Sequence, residues 1–205
     1  MRLYEYEENL IKDGIKYIGG TDEAGRGPLI GPVVAACVVL PLNYQNDLIN
    51  DSKKLTEKKR EELYDVIIKD ALSVGIGIVD ADKIDEINIY EASKLAMIRA
   101  YNEAKKNIKI EHLLTDAMEL DIDIPVTKII KGDAKSITIA AASIIAKVTR
   151  DRMLLELDKK YPMYGFKNHK GYPTKKHIEA IHKYGLIDGY RKTYGPIKEL
   201  LKEEK

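Results

Sequence analysis

The sequence predicts an α/β protein, a mixed sheet with helices on both faces. Three observations carry that expectation. Apolar, β-branched runs come first as a meander and later alternate with long helical stretches. The most apolar of those stretches, "SITIAAASIIAKVTRDRMLLELDKKY", is rich in small residues, which suit close packing of a helix on a sheet. At 205 residues, 44% hydrophobic and 33% charged, the chain is long enough for one domain with a buried core.

The elements follow in order. A short helix precedes Tyr17 and Ile18, which lead as a strand into Asp22. Beyond "GRGPLIG" a second strand runs from Val33 to Leu40. "LTEKKREELYDVIIKDAL" opens with Thr56 as helix cap and Lys59 where a capping box usually has an acid, then continues as an amphipathic helix. The charge run from Lys53 to Glu62 reads as the solvated face of that helix. "SVGIGIVD" gives a third strand and "EASKLAMIRAYNEAKKN" a long helix. "EHLLTDA" reads as a buried strand ending at Asp116, and "VTKIIKGD" as another ending at Asp133. The tail from Pro162 to Pro196 holds glycines, prolines, tyrosines and one further helix, "TKKHIEAIHKYG". With no internal repeat or low-complexity linker, residues 1–205 form a single domain, ending in a small helical part from about 160.

A net charge of +1 makes the molecule neither polyanion nor polycation, so any attraction for nucleic acid rests on local segregation of charge. The tail supplies it. Lys159, Lys160, Lys167, Lys170, Lys175, Lys176 and Lys183 outnumber Glu179 there, a pattern suited to phosphate contacts, with Lys175 and Lys183 read as plain solvated side chains. The single cysteine, Cys37, lies in the apolar run "VVAACVVL" and is expected in the core. The acidic, aromatic start "MRLYEYEENL" is unlike a signal peptide, and no run approaches the ~20 apolar residues of a membrane span. A cytoplasmic enzyme is expected.

Asp22 with Glu23, Asp116 and Asp133 each end an apolar strand candidate or begin the turn after it. Strand ends of α/β sheets border the functional crevice, so these acids can converge although distant in sequence. Singly, each is explained as a turn or cap residue. Together they are not, because two carboxylates ~4 Å apart repel by roughly 4 kcal/mol at an effective dielectric near 20. A cluster calls for cations between its members. Hard oxygen ligands without histidine or cysteine suit Mg2+ or Mn2+, and a pair of such ions forms the clamp used for in-line displacement at phosphorus. The glycines at Gly25 and Gly27 would let backbone approach a sugar-phosphate chain.

The ordered set "DEAGRGPLIGPVV", "DSKKL", "LLTDA", "KGD", "AAASIIAKVTRDR" and "YGFKNHKGYPT" resembles ribonuclease HII in its bacterial form, from about Gly19 to about Tyr184. The resemblance implies a ribonuclease H-like fold, a mixed five-stranded sheet flanked by helices with a helical C-terminal part. It implies cleavage of RNA in RNA–DNA hybrids, and of duplex DNA containing single ribonucleotides, with Mg2+ or Mn2+ in a two-metal site. The metal-binding and catalytic carboxylates carry over to Asp22, Glu23, Asp116 and Asp133. The loop that reads the ribose 2′-hydroxyl carries over to Gly25, Arg26 and Gly27, and the junction-sensing tyrosine to Tyr172. Lys53 of "DSKKL" and Lys170 are expected at the substrate as well. The chain departs from the family's usual residues at Thr21, commonly aliphatic, and at Ala117, often glycine.

The residues support the same roles on physical grounds. The 2′-hydroxyl distinguishes RNA from DNA locally, and tyrosine stacks on sugars or bases in nucleic-acid grooves. Asp151, mid-helix between Arg150 and Arg152, reads as a structural partner rather than a ligand, and the histidines lack metal-ligand spacing. A nuclease acting on DNA alone would also use clustered acids, and cleavage of all-DNA duplexes would mark it. A nucleotide-binding module is the other alternative, but a proline and a strand follow the glycine loop in place of a Walker lysine and a helix.

Overall fold

A computed structural model describes residues 3–203. Five strands, β1 (Ile18–Ala24), β2 (Val33–Val39), β3 (Ser73–Val79), β4 (His112–Asp116) and β5 (Val126–Ile129), form one sheet in the order β3-β2-β1-β4-β5. The first three pair antiparallel, while β1–β4 and β4–β5 pair parallel. β1 is therefore the hinge of the topology, with an antiparallel neighbour on one side and a parallel one on the other.

Alternation along β2 sorts the two cores. Val33, Ala35, Cys37 and Val39 face the long helix α3, while Ala36 and Val38 face the opposite side. The order of helices is α1 (Glu5–Lys12), α2 (Glu57–Asp70), α3 (Ala81–Ala104), α4 (Ile137–Lys160), α5 (Phe166–His169), α6 (Lys175–Tyr184) and α7 (Gly195–Glu203). α4 lies against the even-numbered face, so closely that a Cβ on Gly20 would stand 2.3 Å from the backbone of Thr138. Its run of alanines is what permits that approach. Cys37 is fully buried, and the apolar surroundings push its thiol up to about 12, which makes it an inert core residue. No helix among the described residues is long and apolar enough to cross a membrane.

The caps hold as read: Thr56 Oγ1 accepts from the Lys59 N–H at 3.2 Å, while the Lys59 ammonium turns to Glu62. Other boundaries need correction. Asp22 lies inside β1, which runs on to Ala24, because antiparallel pairing with β2 continues to Ala24↔Val34. β5 stops at Ile129, and Asp133 sits beyond it on a 3-10 turn, Gly132–Ala134, entered through a left-handed Lys131. Lys53 is not on the face of α2 but on a separate 3-10 turn, Ser52–Lys54, capped by Asp51. α3 begins ten residues earlier than the sequence suggested, at Ala81 rather than Glu91, with a non-helical Asn88 (φ 67°) inside it. Asn88 Oδ1 accepts from the N–H groups of Tyr90 and Glu91, so it caps the second half. The tail carries α5 and α7 in addition to the one helix expected.

Candidate active site

Register explains how the acids meet. Thr21 pairs with Thr115 across β1 and β4, and the next residues on the two strands are Asp22 and Asp116. Gly20 and Leu114, one alternation earlier, face α4, so both carboxylates project to that same side. The Gly132–Ala134 turn brings in the third. One carboxylate oxygen from each of Asp22, Asp116 and Asp133 lies within 4.8 Å of the others. Asp116 Oδ1 accepts from the Gly132 N–H at 2.7 Å, and Asp22 Oδ1 from the Glu23 N–H at 2.7 Å.

Glu23 is adjacent in sequence but outside that triplet. Its Oε1 faces Arg26 at 3.3 Å, and its Oε2 is buried without a hydrogen-bond partner. Burial, then the charges of Glu23 and Asp116, holds the Asp22 carboxyl well above its usual range, against hydrogen bonds from Ser143 and the Glu23 N–H. Burial likewise raises Glu23, opposed by Arg26, and raises Asp133, opposed by Lys53. The Lys53 ammonium lies 3.4 Å from Asp133 Oδ2 on a side chain 78% exposed. Burial alone would depress it, but the charges of Asp133 and Asp22 outweigh that and hold it above its ordinary value.

The donor set is therefore all oxygen, crowded and short of positive charge, with one orphaned buried carboxylate oxygen at its edge. These residues fit a hard divalent cation.

The Gly25–Gly27 loop begins where β1 ends. Gly25 adopts φ +97° against the Arg150 guanidinium, where a Cβ would stand 2.1 Å from Nε, so no larger residue fits. Gly27 is exposed, and a Cβ there would come 3.3 Å from the Tyr172 ring. The loop and Tyr172, itself 42% exposed, thus adjoin at the surface, and Arg26 of the loop reaches Glu23 beside the acids.

Other expected residues are placed differently. Lys170 is nearly covered, its ammonium bonded to the Lys167 carbonyl at 2.6 Å and facing Glu57 at 3.4 Å. Lys159 and Lys175 pair with Glu156 and Glu179, and Lys160 and Lys183 lie over Tyr161 and Tyr184. Asp151 is buried and structural, but its partner is Lys147 at 2.7 Å; Arg150 and Arg152 point elsewhere. His177 bridges the Tyr172 carbonyl and the Tyr190 hydroxyl and stacks on His169. Burial pushes it down to about 4, so it is neutral at ordinary pH. The residue that sequence reasoning passed over is Arg191, fully buried behind the glycine loop. Its only local signal was an arginine set among Tyr190 and Tyr194.

The model of the ribonuclease HII family matches residues 19–194. Ribonuclease HII of Bacillus cytotoxicus is 55% identical over 204 residues, covering 100% of this chain and 78% of that protein. Among solved structures, ribonuclease H2 from Pyrococcus horikoshii OT3 superposes with a TM-score of 0.77 at 30% identity, over 91% of this chain and 98% of that one. Ribonuclease HII in its complex with PCNA from Archaeoglobus fulgidus gives a TM-score of 0.71 at 28% identity, over 87% and 95% of the two chains. With the mixed five-stranded sheet and the acid cluster already in place, these matches decide the assignment: the chain belongs to the ribonuclease HII family of endonucleases.

Proposed function

We propose that this endonuclease cleaves the RNA strand of RNA–DNA hybrids and the 5′ side of single ribonucleotides embedded in duplex DNA, leaving 3′-hydroxyl and 5′-phosphate ends. The observation that carries the reading is the convergence of Asp22, Asp116 and Asp133 beside a glycine loop and an exposed tyrosine. Asp22, Glu23, Asp116 and Asp133 would hold two divalent cations, Mg2+ or Mn2+. When bound, such a pair lowers the pKa of the attacking water and stabilises the leaving 3′-oxygen.

The chain's own residues do the rest. The raised carboxyls of Asp22, Glu23 and Asp133 favour whatever neutralises them, so the site is primed for a cation before substrate arrives. Backbone of Gly25, Arg26 and Gly27 approaches one 2′-hydroxyl, which both donates and accepts. Tyr172, across from Gly27, stacks on the deoxyribose that follows. Lys53 stands at the acid cluster and can turn from Asp133 to a phosphate oxygen. Lys170 is kept as a phosphate contact only if its ties to Lys167 and Glu57 exchange for one. Such chemistry serves ribonucleotide removal and RNA-primer removal from DNA, and belongs in the cytoplasm of a bacterial cell.

The test compares three substrates with and without Mg2+: a duplex with one embedded ribonucleotide, an all-DNA duplex and a long hybrid. Cleavage of the first and third only is expected. Cutting of the hybrid without the single-ribonucleotide duplex would leave a more general ribonuclease H, and cutting of all-DNA duplex would defeat the ribose reading.

A further inference from the structure

We infer that Arg191 is a positioning residue that sets ribose selectivity, by fixing the backbone of the Gly25–Gly27 loop from behind without touching substrate. This rests on the reading of that loop as the 2′-hydroxyl reader.

Arg191 is fully buried, yet among the described residues no carboxylate is bonded to it. Its guanidinium is spent on main chain. Nη2 donates to the Gly25 carbonyl at 2.6 Å and to the Gly31 carbonyl at 2.8 Å. Nη1 donates to the Arg26 carbonyl at 2.8 Å and to Tyr194 Oη at 2.9 Å, and Nε to the Gly31 carbonyl at 3.1 Å. A desolvated cation is costly, and here the cost is met by the Tyr194 hydroxyl and by three carbonyls of one loop, those of Gly25, Arg26 and Gly31. Burial pulls the guanidinium's pKa down, but an arginine stays charged.

Three further contacts make this a device rather than a filler. Tyr194 Oη donates to the Arg26 carbonyl at 2.6 Å, so two residues of one strap converge on one peptide. The strap is pinned from outside. Asp85 on α3 accepts from the N–H groups of Lys192 and Thr193 at 2.7 and 2.9 Å and from the Thr193 hydroxyl at 2.5 Å. On the other side of the loop, Arg150 packs under Gly25 and donates to the carbonyls of Ile30, Pro32 and Lys170. With carbonyls held from behind, the orientation of each peptide plane is fixed. A peptide is planar, so holding its C=O also aims the N–H of the next residue: Gly25 sets Arg26, and Arg26 sets Gly27. Those N–H groups belong to the loop assigned to the 2′-hydroxyl. Pre-aimed donors discriminate because they need not reorganise when the ligand arrives.

A lysine at 191 keeps the charge but lacks the planar fork that spans three carbonyls. Tyr194→Phe removes both hydroxyl bonds, to the Arg26 carbonyl and from Arg191 Nη1, and leaves the ring. The readout is the ratio of two dissociation constants measured without divalent metal, for a duplex carrying one ribonucleotide and for the same duplex in DNA. Wild type is expected to favour the ribonucleotide duplex. Arg191→Lys should shrink that preference by about tenfold and Tyr194→Phe by a few-fold, with affinity for all-DNA duplex unchanged. A loss of folded protein scales both constants together and leaves the ratio alone. An unchanged ratio in both variants overturns the inference while leaving the loop's assignment standing. No ribose preference in wild type defeats the loop's assignment, and the inference with it. If Arg191→Lys fails to fold, Tyr194→Phe decides alone.

Discussion

The Gly132 N–H donates to Asp116 Oδ1 at 2.7 Å, so the end of β4 is bonded to the turn that carries Asp133. Two of the acids are thereby oriented by the backbone between them, and a neutral amide at 116 retains an oxygen to accept the same bond. Asp22→Asn, Glu23→Gln, Asp116→Asn and Asp133→Asn should each leave the fold intact and cut turnover by about a hundredfold or more. Steady-state cleavage beside a melting curve checks this. Any variant with near wild-type activity in Mg2+ removes its residue from the site.

The pH dependence of the metal-free protein follows from the raised carboxyls. Asp22, Glu23 and Asp133 bind protons more readily folded than unfolded, so their contribution favours the fold below the ordinary carboxylate range. It is lost as pH rises through their elevated folded values. Metal-free Tm should therefore fall across that window more in wild type than in Asp22→Asn, and Mg2+ should restore it at neutral pH, less so in the variant. Thermal melts over a pH series, with and without Mg2+, decide it. Parallel curves for the two proteins would place the ion elsewhere.

Tyr172→Ala should weaken cleavage at a single-ribonucleotide junction more than cleavage within a long hybrid, because the exposed Tyr172 ring adjoins Gly27 of the loop proposed to read the ribose. The ratio of kcat/KM on the two substrates is the measurement. An equal loss on both would make Tyr172 a general groove residue.

Ala117 adopts a left-handed conformation with φ 54° directly after Asp116. An L-residue there costs about 1 kcal/mol relative to glycine. Ala117→Gly should raise stability by part of that amount, measured by chemical denaturation, with little change in turnover. A destabilised variant would show that the methyl group's packing matters more than its strain.

Asp151→Asn should act on stability, by about 1–2 kcal/mol, through its 2.7 Å pair with Lys147. Denaturation midpoints and turnover measured together separate the cases. Wild-type stability with a large loss of turnover would move Asp151 into the reaction.

The sheet and its two helical faces were legible because β-branched runs and alanine-rich helical stretches carry their periods locally. Thr56 and Asp116 could be placed from the sequence, and Asp22 was put on the right strand, though two residues short of where that strand ends. Asp133 was found but misplaced, since the left-handed Lys131 that ends the strand region leaves no mark in composition. Lys53 was read as part of α2 because a 3-10 turn capped by Asp51 looks like any other charged helix start. The tail lysines read as a phosphate patch, yet several are paired within the fold. Lys159 and Lys175 pair locally with Glu156 and Glu179, while Glu57, the partner of Lys170, is far away in sequence. Arg191 is the clearest case: carbonyls are its partners, and carbonyls have no sequence signature.

β1 pairs on both of its edges, with β2 directly after it in synthesis order and β4 much later. A nascent chain can close the β1–β2–β3 meander early, but one edge of β1 then waits, open, while α3 is made. Gly19 to Thr21 lie on that edge, and unpaired backbone there invites association with other chains. Only when β4 arrives does Asp116 come beside Asp22, so the event that seals the vulnerable edge also joins the first two members of the acid cluster. A polypeptide stopped before β4 therefore lacks the proposed metal-binding cluster.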